Sequence, residues 1–268
     1  MSILALRYST LGAALITIIV SSLNVGLVYG LLAVAVPCLW LWFFCLRHGE
    51  SSGTQPRFQF IWPIILSFAA ACMIAPAVVA VAELLNGVFA WLANGNTLTY
   101  FVLRAGLVEE LLKLSAVLFV LRYLTPGAIR HPRDGVIFAC SAALGFSAYE
   151  NLYHNLYLVQ LDSGVAQAFF LGAFVRVPLH PLYACLWGAA LGVSHFKSGA
   201  TAFCTVVLGL APAVFLHGLW DTLAQSQGTA TGVLLTLFYG AFWYCYWRTW
   251  KHCDAVQLIA PDSGREQI

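Results

Sequence analysis

A helix-length apolar run that carries four charges constrains this chain more than any other feature. Residues 101–124 read FVLRAGLVEELLKLSAVLFVLRYL, long enough to cross a bilayer as a helix. Inside the run lie Arg104, Glu109, Glu110 and Lys113. A charge near the bilayer centre costs at least ~2.5 kcal/mol on insertion scales. These groups therefore persist only if they face partners or water inside a helix bundle. Glu109 and Lys113 share a helix face, and Glu110 and Lys113 are one turn apart, so Lys113 can hold either carboxylate. Alone, the stretch reads equally well as a neutralised ion pair that helps packing. What decides is whether other spans bring polar groups to the same depth.

Composition sets the class. The chain of 268 residues is 61% hydrophobic and only 9% charged, which excludes a soluble domain and fits a polytopic membrane protein. A net charge of +2 gives no reason to expect nucleic acid. No cleavable signal peptide is expected, because no small-residue cleavage site followed by a soluble domain appears. Seven of the eight cysteines fall in apolar spans and Cys253 in the C-terminal tail, with no CxxC. Such cysteines act as small apolar residues, so neither a disulfide framework nor a thiolate metal site is expected.

Apolar runs mark about eight transmembrane helices, near 4–22, 26–46, 59–85, 99–123, 135–158, 169–194, 202–224 and 231–247. Pro63 and Pro76 are expected to kink the third. The mixed segment 86–97 is expected to lie flat in the interface, anchored by Trp91. The expected fold is all-α: a single integral membrane domain over 1–268, with residues 99–224 as its motif-bearing core.

Loop charges orient the spans. Of thirteen Lys and Arg residues, Arg104, Lys113 and Arg176 fall inside spans. The other ten all lie on one side of the membrane or at that edge. The loops near 23–25, 86–98, 159–168 and 225–230 carry none. The asymmetry puts both termini in the cytoplasm and supports an even span count.

Four spans then carry ionisable groups in their interiors: Glu109, Glu110 and Lys113; Glu150, beside Asn151, with His154; Arg176 and His180; His217 and Asp221. Counted from the outer ends, Glu109 lies roughly 15 Å down, Glu150 roughly 12 Å, His180 roughly 16 Å and His217 roughly 10 Å. Singly, each has a structural reading. His217 and Asp221 could be a buried helix pair, Arg176 could snorkel to the edge, and Glu150 could pair with His154. Their convergence at one depth, reached from loop charges alone, favours a wet polar cavity in the outer half of the bilayer.

Carboxylates beside histidines in such a cavity can activate water as general base and acid. A neighbouring polar group can steady an oxyanion. Alternatively, Glu and His side chains can bind Zn²⁺. There is no HExxH, so ligands would come from separate helices. No GxSxG and no phosphate-binding Gly-rich pattern occurs.

The ordered motifs resemble a known family. EELLK at 109–113, FSAYEN at 146–151, Arg176 with His180 and Gly188, and HGLWD at 217–221 are similar to the EExxK, FxxxEN, Arg/His/Gly and HxxxD elements of the PrsW family of intramembrane proteases, relatives of the CAAX prenyl endopeptidases. The resemblance implies a helical bundle in the plasma (inner) membrane that cuts a single-span, membrane-anchored protein. It implies regulated proteolysis of the anti-sigma-factor kind, on the outer side. In the prenyl endopeptidases the first Glu of the pair activates water with help from a His in the next motif; here that position is Glu150. Their last motif is HxxxN, where this chain has His217 and Asp221.

The resulting assignment makes Glu109 the general base and Glu110 a partner neutralised by Lys113 or Arg176. Glu150, His180 and His217 bind water, metal or the oxyanion, and Asp221 orients His217. Asn151, Arg176 and Lys113 are the substrate-side polar groups, and Gly188 permits close helix packing. A Zn²⁺ site built from His180, His217 and Glu150 and a metal-independent glutamate mechanism both stay open. Two rival classes are a non-catalytic scaffold and an ion-coupled transporter. Against the transporter, the polar groups cluster at one depth and do not line a path to the cytoplasmic side.

Overall fold

The structure, a computed structural model, describes residues 34–42, 58–160 and 176–225, with scattered helical residues from 234 to 251; at 58–60 and 154–160 it describes the backbone alone. The first expected span, the start of the sixth and most of the eighth lie outside these residues, as does the side chain of His154.

The described residues form helices and short turns, with no strand among them. Helix α1 covers 34–42. Helix α2, Phe58–Leu84, continues through Pro63 and Pro76. Helix α3, Asn86–Ala93, ends on Asn94 in the left-handed conformation, and Gly95 follows at φ 80°. Two such residues in a row turn the chain back sharply. Helix α4, Thr97–Phe101, starts where the Asn96 side chain accepts from the Thr99 N–H at 2.9 Å, a standard N-cap. It runs through a π-helical turn, Val102–Leu107, into α5, Val108–Phe119, and leaves through a second π turn, Val120–Leu124. Helix α6 is Pro132–Gln160, α7 is Val177–Ser194 and α8 is Gly199–Gln225. The third, fourth, fifth and seventh apolar runs thus each become one helical rod.

Two of these rods are apolar on every side. Ile61–Leu84 and Gly199–Gln225 are long and apolar enough to cross a membrane, yet only 28% and 11% of their most apolar stretches is buried. A helix this apolar and this little covered by protein is suited to lipid. Trp62, Met73, Phe203 and Leu208 project outward from them.

Helices α6 and α7 make the centre. Residues 136–144 of α6 and 177–185 of α7 are buried almost throughout. They approach through glycines. A Cβ at Gly192 would sit 2.0 Å from the Pro132 carbonyl oxygen, and one at Gly188 would sit 2.5 Å from the Ala139 Cβ and 2.8 Å from the Gly135 carbonyl oxygen. Gly188 therefore has the packing role expected of it. Helix α2 covers the other face of α6, where Ser141 Oγ donates to the Ile64 carbonyl at 2.6 Å. Helix α8 packs on α7 and on the π turn that precedes α5.

Segment 86–97 is a short helix and a turn. Phe89 and Ala93 are buried, and Trp91 is 77% exposed. That one-sided burial suits the interfacial position expected for it.

Candidate active site

Lys113, fully buried on α5, is the centre of the polar cluster. Its ammonium donates to Glu110 Oε1 at 2.8 Å and to Glu109 Oε2 at 3.3 Å, and lies 3.1 Å from His180 Nδ1. Those are three acceptors for three N–H groups. The ammonium also lies 4.3 Å from the centroid of the Phe146 ring, a cation–π contact. Lys113 holds both carboxylates at once and has no surface in the cavity. It is a fixed internal cation, which corrects its expected place on the substrate side.

The two adjacent glutamates have different surroundings. Glu110 is fully buried. Besides Lys113, its Oε1 lies 2.9 Å from His217 Nδ1, and its Oε2 accepts from Trp187 Nε1 at 2.9 Å. Donors from α5, α7 and α8 thus hold this carboxylate, and it does not line the cavity. Glu109 does line the cavity, with its side chain 17% exposed. The neutralising partner of Glu110 is Lys113. Arg176 instead lies 3.7 Å from Glu150.

These contacts assign the histidine tautomers. Lys113 can only donate, so neutral His180 accepts at Nδ1 and carries its proton on Nε2. That atom sits 2.8 Å from Glu150 Oε2, off the line of a well-directed hydrogen bond. His217 donates from Nδ1 to Glu110 and turns Nε2 toward Glu109. His217 Nε2 is 3.5 Å from Glu109 Oε2. Tyr183 stacks on the His217 ring, with centroids 4.7 Å apart and planes at 14°, which fixes the ring plane.

Asp221 does not orient His217 as expected. Its Oδ2 is 4.0 Å from Nε2, beyond hydrogen-bond range, while Glu110 holds the opposite nitrogen. Asn151 is buried and lies outside the cavity lining, so the substrate contact expected of it is not supported. Glu109, His180 and His217 each offer a ligand atom within 4.8 Å of the others. The structure therefore puts Glu109, where Glu150 was expected, in the three-donor group.

The cavity in front of these groups has a volume of about 410 Å³. Its walls are the last turns of α2 and α8, the first turns of α7, the turn before α5, and α6 from Phe146 to Tyr153. All of these are at one end of the bundle. Arg122, in the second π turn, and His195, just past α7, border a separate depression lined also by Leu118, Ile129 and Leu191. The four motif segments thus bring their polar groups to one end of the bundle.

The sequence motifs do not include Tyr183 and Trp187. They stand three and seven residues after His180, on the helix face that His180 already defines.

Comparison with known proteins bears on the family. The family model described as PrsW family intramembrane metalloprotease matches residues 58–246. The chain is 28% identical over 151 residues to Protease PrsW of Bacillus subtilis, covering 56% of this chain and 66% of the relative. It is 30% identical over 137 residues to Protease PrsW of Oceanobacillus iheyensis, covering 51% and 59%. The match thus spans somewhat less than two thirds of either relative's length. No solved structure matches the chain. With the family model covering well over half of its length and the motif residues of four helices meeting in one cluster, the chain belongs to the PrsW family.

Proposed function

We propose that this protein is an intramembrane protease that hydrolyses a peptide bond of a single-span, membrane-anchored protein. The observation that carries the reading is the pairing of Glu109 Oε2 with His217 Nε2, 3.5 Å apart on a cavity of about 410 Å³ among apolar helices. A carboxylate and an imidazole so placed can between them accept and return the proton of an attacking water. The family description and the names of both relatives support the same reading.

The donor set fits a divalent ion such as Zn²⁺. Two imidazoles and a carboxylate are its common ligands. His217 is backed by the Glu110 carboxylate, the usual partner of a metal-binding histidine. His180 Nε2 is buried without a well-directed hydrogen bond. Glu109, His180 and His217 would hold the ion. When bound, it supplies Lewis-acid polarisation and makes a nucleophile available near neutral pH.

The chain's own residues do the rest. Glu150 lines the cavity with its Oε2 2.8 Å from His180 Nε2. It stands there as the group that exchanges protons with water and leaving amine. Without an ion, Glu109 is the base and the His180 Nε2–H is placed to donate to the oxyanion. Lys113, Trp187 and Tyr183 hold the geometry in both cases.

The proposed setting is the bacterial inner membrane, with eight spans, both termini cytoplasmic and the cavity opening outward, as for anti-sigma-factor cleavage. It is supported by the loop charges and by the gathering of the cavity walls at the bundle end away from Arg122 and His195.

The test uses purified protein in liposomes with a single-span reporter. The expected result is cleavage at one bond, found by mass spectrometry, lost with chelator and restored by Zn²⁺. Cleavage untouched by chelator selects the glutamate mechanism. A reporter left intact with Zn²⁺ present overturns the protease reading.

A further inference from the structure

The cavity reaches the flank of the bundle between α2 and the start of the fourth rod. Its walls include Val78, Val79, Ala82 and Glu83 on α2, and Phe101, Arg104 and Ala105 across from them. No residue of 86–97 is among the lining, so the interfacial helix does not itself close the opening.

These walls belong to different packing groups. The 97–107 stretch packs on α8, and α2 packs on α6 and α5. Gly218 fixes the first association, since a Cβ there would lie 2.4 Å from the Val102 Cα. The upper part of α2 is therefore supported on one side and parts from 97–107 on the other. One ion pair crosses the gap, between Arg104 and Glu83; just beyond the end of α2, Tyr100 Oη donates to Asn86 Oδ1 at 2.6 Å. The Glu83 side chain is 58% exposed and the Arg104 side chain 30%, so the ion pair is at the rim. Below it, Val78, Val79 and Phe101 make an apolar path from the lipid-suited flank of α2 to Glu109.

Resting on the protease reading above, we propose that this seam is the entry for the substrate's transmembrane segment, and that the Glu83–Arg104 pair is its latch. An apolar helix approaching from the bilayer meets apolar walls first and the carboxylates last. A chain arriving from water meets the polar rim. The occupant is thus a membrane-spanning protein segment, and a lipid acyl chain is the competing occupant that the test must separate.

The test has a binding arm that needs no turnover. In the Glu109→Gln protein in liposomes, a photo-crosslinking phenylalanine analogue replaces Val79 at the seam or Phe203 on the exposed flank of α8. The single-span reporter should be captured from position 79 and not from 203. Adding Glu83→Gln should raise capture about two- to fivefold, the range set by a rim ion pair. The swapped pair Glu83→Arg with Arg104→Glu should return it to the starting level. In the otherwise unaltered enzyme, Glu83→Gln should lower KM for the reporter. Equal capture from both positions, lipid adducts alone at 79, or capture unmoved by Glu83→Gln would each overturn the proposal. Absence of hydrolysis with capture intact would count against the protease reading and leave the entry route standing.

Discussion

At the scale of single residues, one lysine makes two neighbouring carboxylates into different tools. Lys113 and Trp187 anchor Glu110, while Glu109 faces the cavity. Removing one member of a buried ion pair costs about 3–5 kcal/mol, because the remaining charge is stranded. Lys113→Met should therefore lower thermal stability by that order and abolish turnover. Adding Glu110→Gln should restore part of the stability without activity, a coupling that a double-mutant cycle in a thermal unfolding assay will read. The distances around His217 rank a second pair. Glu110 touches its Nδ1 at 2.9 Å and Asp221 stands 4.0 Å from its Nε2. Asp221→Asn should thus reduce kcat less than Glu110→Gln does, by about tenfold or more, in parallel reporter assays. Equal losses would return the orienting role to Asp221.

At the scale of elements, the fourth rod is the working part, and its π turn at Val102–Leu107 enters directly into the glutamate pair. Such turns recur at functional sites because the extra residue re-aims the side chains that follow. Gly106 lets this turn rest on α8; a Cβ there would lie 2.2 Å from the Val214 carbonyl oxygen. Gly106→Val should push α8 away and separate His217 from Glu109. It should cost about 1–3 kcal/mol of stability and nearly all activity, measured as melting temperature and reporter cleavage on one sample. The rods themselves were legible, because lipid demands long apolar helices and the charges inside them had to meet. Trp187 was legible in principle from its spacing to His180. The π turns were not, since periodicity does not register one added residue. Neither was the Glu83–Arg104 pair, which depends on where two separate helices end, nor the exchange of roles between Asp221 and Glu110, which depends on ring rotation.

At the scale of the whole molecule, the proposal needs the cavity end to face outward. Thr97 and Lys197 are exposed at opposite ends of the bundle. With the native cysteines replaced, Thr97→Cys should react with a membrane-impermeant thiol reagent on intact cells. Lys197→Cys should react only after permeabilisation. The reverse pattern would move the cavity to the cytoplasmic face and remove the anti-sigma-factor setting. The central claim, that side chains from separate helices make one hydrolytic centre, is most directly tested by the rate of reporter cleavage in liposomes for wild type, Glu109→Gln and His217→Ala. Both variants should fold normally and lose at least about a hundredfold in rate. Cleavage at the wild-type rate by either would contradict the account.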